Sequence, residues 1–168
     1  EILLENANTK LFIGNLEDFS FDWVSNEFLK LGVEKDRLLL SKTLSFENYI
    51  NLHNGIDVLL DTWPYSGGTT TAYAIQFGIP VITLKGQTLA QNQSAGILKN
   101  INLPQTIARD ILEYKDIASN LASLSSSKIQ ELKLQNYNAW TEASGKKGDV
   151  KNFEKLLTKV WNEFCNKG

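Results

Sequence analysis

The stretch DVLLDTWPYSGGTTT, residues 57–71, sets two adjacent glycines and a run of threonines directly after a short apolar segment. Threonines placed there open a helix, and the first N–H groups of a helix have no partner inside it and carry a partial positive charge. Glycine lets an anion come close to the backbone, and hydroxyls add donors. Ser66, Gly67, Gly68, Thr69, Thr70 and Thr71 together therefore suit a phosphate. The same residues also suit a plain tight turn followed by a threonine cap. The run is not a Walker A loop, because no Gly-Lys-Ser/Thr follows, and it lacks the G-x-G-x-x-G spacing of dinucleotide sites.

Other chemistry-bearing residues are sparse. Asp57 and Asp61 bracket the apolar segment, but four residues of strand hold them about 13 Å apart, too far for a glycosidase-type carboxylate pair. They read as turn caps. Trp63 and Tyr65 flank Pro64 and read as closing the loop on the core, with stacking on a sugar or base as the other option. His53 reads as a helix-end residue and Cys165, near the end of the last helix, as an inert thiol. One histidine and one cysteine exclude an intrachain disulfide and any zinc site built from several such ligands.

The elements that position the turn follow from apolar patterning. Candidate strands span Lys10 to Ile13, Arg37 to Leu40, Asp57 to Leu60 and Pro80 to Leu84, alternating with segments of helical period. This is the pattern of a Rossmann-like α/β fold, a largely parallel sheet with flanking helices. Its ligands gather beyond the C-terminal strand ends, where the glycine turn falls. Val24, Phe28 and Leu31 form the covering face of one helix that stops at Gly32. Ser45 caps a second carrying Tyr49, Ile50 and His53, and the threonines open a third that ends at Gly78. Residues 1–9 read as the tail of a helix. Beyond Ile107 the chain turns helical. Asp110 caps a helix with Leu112, Ile117 and Leu121, and the serines at 125–127 separate it from another through Leu132 and Trp140. A last helix gathers Phe153, Leu157, Val160, Trp161 and Phe164 on one face, which should dock on the sheet or on a neighbour.

At 168 residues and 42% hydrophobic, the chain is expected to form a single lobe, 1–168, with an α/β core over 1–124 and C-terminal helices over 125–168. A net charge of −2 without charge runs argues against a nucleic-acid partner. No apolar stretch reaches the roughly 20 residues of a membrane span. Nor do the first residues form a secretion leader. A cytoplasmic protein with no membrane partner is expected. The sequon Asn92-Gln93-Ser94 then has no glycosylation role.

The runs DVLLDTWPYSGGTTT, GIPVITLKGQTLAQNQSAGIL and DILEYKDIASNLASL resemble the C-terminal catalytic lobe of the protein O-GlcNAc transferase and SPINDLY family, and the similarity extends over nearly the whole chain. The resemblance implies the donor-binding half of a GT-B-type glycosyltransferase. It implies inverting transfer without a metal or other cofactor, most often of GlcNAc from UDP-GlcNAc, to Ser or Thr of proteins. SPINDLY-type members use GDP-fucose. The partners implied are a nucleotide-sugar donor and a protein or peptide acceptor, which an upstream lobe and tetratricopeptide repeats would receive. Gly67, Thr69 and Thr70 match positions that hold the diphosphate. Leu44, Phe46 and Tyr49 match the nucleoside pocket, joined there by Tyr73. Lys85 stands where its amine can reach phosphate or sugar, although a strand-end lysine is more often simply solvated.

The chain also departs from that pattern. Gly68 replaces a histidine, Tyr73 a ribose-binding acid, and Asn92 an arginine, and no residue among 1–20 matches the family's phosphate lysine. These departures leave open a second reading, a non-catalytic, protein-docking module with a degenerate pocket. A nicotinamide-binding domain lacks its glycine fingerprint here.

Overall fold

The computed structural model describes residues 1–144 and 148–166. Two groups of parallel strands carry the fold. Strand β1 (Leu11–Ile13) pairs with β2 (Leu38–Leu40) in the register Leu11 to Leu38. Strand β4 (Val81–Leu84) lies between β3 (Leu59–Leu60) and β5 (Ile107–Ala108). All strands are parallel, as alternation with helices requires. The four expected strands lie within two residues of their anticipated starts, in two separately paired groups; β5 was not anticipated.

Helix α1 (Ile2–Glu5) opens the chain, α2 (Asp18–Lys30) joins β1 to β2, and α3 (Phe46–Leu52) precedes β3. Ser45 caps α3 as anticipated, its hydroxyl accepting the Asn48 amide at 3.3 Å. Helix α4 (Thr69–Gln76) follows β3, and α5 (Gln93–Asn100) follows β4. After β5 come α6 (Ile111–Ala122), α7 (Ser126–Ser144) and α8 (Gly148–Cys165). Asp110 caps α6 by accepting the Glu113 amide at 2.9 Å.

Each strand group has its own core. Leu3, Val33 and Leu38 form one, with Leu11 and Phe28 against it. Ala74, Ile75, Ile79, Val81, Leu98 and Ile101 form the larger one around β4. Strand β4 is buried on both faces, which explains its unbroken apolar run. Thr71, Ala74 and Ile75 give α4 its buried stripe, and each fully buried isoleucine contributes roughly 1.5–3 kcal/mol. Gly78 ends α4 at φ +77, a left-handed conformation, and α7 crosses so closely that a β-carbon there would stand 2.2 Å from the Lys133 carbonyl oxygen. Trp140 of α7 packs on the larger core, so α7 belongs to the α/β body.

Several anticipated contacts are not made. Leu31 and Leu112 are exposed, the first just past the C-terminal end of α2 and the second in the first turn of α6. Trp63 and Tyr65 do not close the loop on the core; both project into solvent. Helix α8 does not dock on the sheet: every side chain from 150 to 166 is exposed, including the apolar face of Phe153, Leu157, Val160, Trp161 and Phe164.

Candidate active-site turn

The turn at 66–68 is held by hydrogen bonds from below and from one side. Below it lies Asp61, the first residue after β3, with its carboxylate buried. Oδ1 accepts the Gly67 amide at 2.7 Å and Oδ2 accepts the Thr83 hydroxyl at 2.6 Å. The Asp61 carbonyl accepts the Tyr114 hydroxyl at 2.9 Å. Burial, with the Asp61 charge adding to it, pushes the Tyr114 phenol well above its ordinary value. Asp61 does cap a turn, then, while Asp57 faces outward to Lys133 Nζ at 3.3 Å.

The side brace comes from α5. Ser66 Oγ donates to the Ala90 carbonyl at 3.0 Å and accepts the amides of Gln93 at 2.9 Å and Ser94 at 3.4 Å. It thus caps α5 from a distant segment, while Asn92, the residue in the cap position, is spent on the preceding loop. Asn92 Nδ2 donates to the carbonyls of Gly86 at 2.9 Å and Thr88 at 2.7 Å, and its Oδ1 accepts the Gly86 amide at 3.1 Å. Ser94 Oγ donates to the Gly67 carbonyl at 2.7 Å, which uses its only proton. The Thr71 hydroxyl, 2.6 Å away, must therefore donate to Ser94 Oγ.

These bonds divide the six anticipated cradle residues. The hydroxyls of Ser66 and Thr71 are buried and committed to α5, and the Gly67 amide is committed to Asp61. Gly67 is small for packing reasons: a β-carbon would stand 2.8 Å from Thr71 Oγ1 and 3.1 Å from Asp61 Oδ1. What faces solvent is the start of α4. No side chain caps it, so its first-turn amides remain to receive an outside acceptor, with the exposed hydroxyls of Thr69 and Thr70 beside them.

An aromatic row adjoins this helix start. Phe46 meets Tyr73 edge-on at 6.0 Å, Tyr73 meets Tyr49 at 6.0 Å, Tyr49 meets His53 at 4.7 Å, and His53 lies 5.1 Å from Phe77. The row runs from exposed Phe46 to buried His53, whose Nδ1 contacts the Tyr49 carbonyl at 2.8 Å. Burial pushes the Tyr49 phenol up, the nearby Thr70 hydroxyl works against this, and Tyr73 adds to it. Leu44 is half-buried in the segment leading to α3. Lys85 continues β4 through its amide, which donates to the Ala108 carbonyl at 2.8 Å, and its side chain is exposed.

Patterning alone did not reveal Ser94, Thr83, Tyr114 or the bracing part of Asp61, because their partners lie 22 to 53 residues away. An acid directly after a strand and shortly before a glycine turn is the nearest local signal. Among the described residues no group of three or more His, Cys, Asp or Glu could hold a metal, and no helix is long and apolar enough to cross a membrane. A separate apolar cavity of about 190 Å³, lined by Pro80, Leu98 and Ile117 among others, contains no residue of the turn.

The family model described as Glycosyl transferase family 41 matches residues 2–156. A tomato (Solanum lycopersicum) protein described as a probable UDP-N-acetylglucosamine–peptide N-acetylglucosaminyltransferase SPINDLY is 30% identical over 88% of this chain and 16% of its own length. A Caenorhabditis elegans UDP-N-acetylglucosamine–peptide N-acetylglucosaminyltransferase is 26% identical over 79% of this chain and 12% of its own. A mutant O-GlcNAc transferase of Thermobaculum terrenum superposes with a TM-score of 0.87 at 26% identity, covering 99% of this chain and 33% of that one. The chain therefore spans less than a fifth of the length of these curated relatives.

Proposed function

The chain belongs to glycosyl transferase family 41, and we propose that it is the donor-binding lobe of an inverting glycosyltransferase that moves a sugar, GlcNAc from UDP-GlcNAc, onto Ser or Thr of proteins. The observation that carries the proposal is the uncapped start of α4, with Thr69 and Thr70 turned to solvent beside the Phe46–Tyr73–Tyr49 row. The amides and hydroxyls would hold the donor diphosphate, and the aromatic row would take the nucleoside. As the glycosidic bond breaks, negative charge grows on the leaving diphosphate. Donors fixed in advance stabilise that charge more than they stabilise the intact donor, which lowers the barrier. The bracing by Asp61, Ser66 and Ser94 supplies the fixing.

We take residues 1–168 as one lobe and place the acceptor site and any tetratricopeptide repeats elsewhere in the full-length protein. We read the protein as cytoplasmic, in keeping with its single exposed cysteine. The test is Thr70→Ala in the full-length protein. Transfer should fall by roughly 10- to 100-fold, as expected for removing one donor to a developing anion. Unchanged transfer would favour the second reading, a docking module with a degenerate pocket, whose support is the diversion of Asn92 into its own loop.

A further inference from the structure

The mouth of the cradle lacks a side chain at Gly68, and another residue fills that space. A β-carbon on Gly68 would stand 2.9 Å from Gln93 Oε1 and 3.9 Å from Gln93 Cδ. The Gln93 carboxamide therefore lies against the start of α4. Its backbone is fixed there: Gln93 is the first residue of α5, its amide donates to Ser66 Oγ at 2.9 Å, and the next residue, Ser94, is tied to Gly67. Gln93 is half-buried, and its carboxamide makes no hydrogen bond to the described residues, so the polar group is positioned but uncommitted.

We propose that Gln93 is a donor-binding residue, contacting the diphosphate from α5 across the gap left by Gly68. The inference rests on reading the α4 start as the diphosphate site. A carboxamide carries an acceptor at one end and two N–H donors at the other. With no anion present, its oxygen faces the positive end of the α4 dipole, a favourable placement for an acceptor. When a diphosphate takes that position, a half-turn about the terminal torsion presents Nε2 to a phosphate oxygen. Gln93 thus lends the cradle a side-chain donor from a second helix. A side chain at position 68 would move the Gln93 carboxamide out of this place.

The proposal separates a truncation from a near-isosteric change. Gln93→Ala removes the donor. Gln93→Glu keeps the shape, puts a full negative charge at the start of α4, and should leave the empty protein as stable as before or slightly more so, while opposing a second anion. The experiment is calorimetric titration of the full-length protein and its variants with UDP and with GDP, paired with thermal melting. Gln93→Ala should weaken the tighter of the two by roughly 5- to 10-fold, and Gln93→Glu by roughly 30-fold or more, with the melting temperature of Gln93→Glu undiminished. A purely structural Gln93 would instead lose affinity and melting temperature together in Gln93→Glu, and that result would overturn the proposal. So would wild-type affinity in both variants; if Thr70→Ala weakened binding in the same series, the cradle would stand and Gln93 alone would fall. Absence of UDP and GDP binding by the wild type would remove the diphosphate reading, and this inference with it.

Discussion

Asp61 holds Gly67 by accepting its amide at 2.7 Å, so the first glycine of the turn is closed to an outside anion and serves to fix the rest of the cradle in place. The same carboxylate accepts the Thr83 hydroxyl at 2.6 Å, which ties the turn to the central strand β4. Asparagine shares the shape of this carboxylate but offers only one of its two acceptor oxygens.

Asp61→Asn turns one acceptor into a donor that faces either an N–H or a hydroxyl already placed to donate. Stability should fall by about 1–3 kcal/mol, the cost of leaving a buried polar group unpaired. Chemical denaturation measures this directly. A change below about 0.5 kcal/mol, the level of an ordinary surface substitution, would mean that the brace is dispensable.

Gly78→Ala places a β-carbon 2.2 Å from the Lys133 carbonyl oxygen at a φ of +77. Backbone strain and overpacking act together here, so the loss should reach at least about 2 kcal/mol. Gly55→Ala, where a β-carbon meets nothing within 4 Å, is the matched control and should unfold close to wild type.

Alkaline pH should act through Tyr114. Its folded pKa is raised, so its contribution to stability is fully present below the ordinary value of 10.0 and is lost as the pH climbs from there toward the folded value. Stability should decline above about pH 10, and Tyr114→Phe should decline less steeply over that range despite losing the bond to the Asp61 carbonyl. Parallel slopes for the two proteins would assign the alkaline loss to other groups.

Charge on the leaving diphosphate is assigned here to amides and hydroxyls alone. Transfer by the full-length protein should therefore survive exhaustive chelation. Loss of transfer on chelation, restored by one divalent metal, would require a different catalytic device.

How far the molecule can be read from its residues depends on how local each feature is. Strands β1 to β4 are short apolar runs with clear boundaries, and the caps at Ser45 and Asp110 lie beside the helices they serve, so both were legible. Strand β5, only Ile107–Ala108, has no run to recognise. Helix α5 gives no local start signal because Ser66, in another segment, caps it. The same distance explains the site. The residue types of the cradle were readable as phosphate-binding, but the inward turn of Ser66 and Thr71 follows from Ser94 and Ala90, whose proximity only the fold creates.

The central claim is that an anion sits on the open start of α4. Backbone amide NMR of the chain during titration with UDP and with GDP tests it most directly. The amides of Thr69, Thr70 and Thr71 should move downfield as they begin to donate to phosphate, while the Gly67 amide, already held by Asp61, should move least of the four. Saturating ligand that leaves Thr69 to Thr71 in place, or moves residues around the Pro80 cavity instead, would contradict the account.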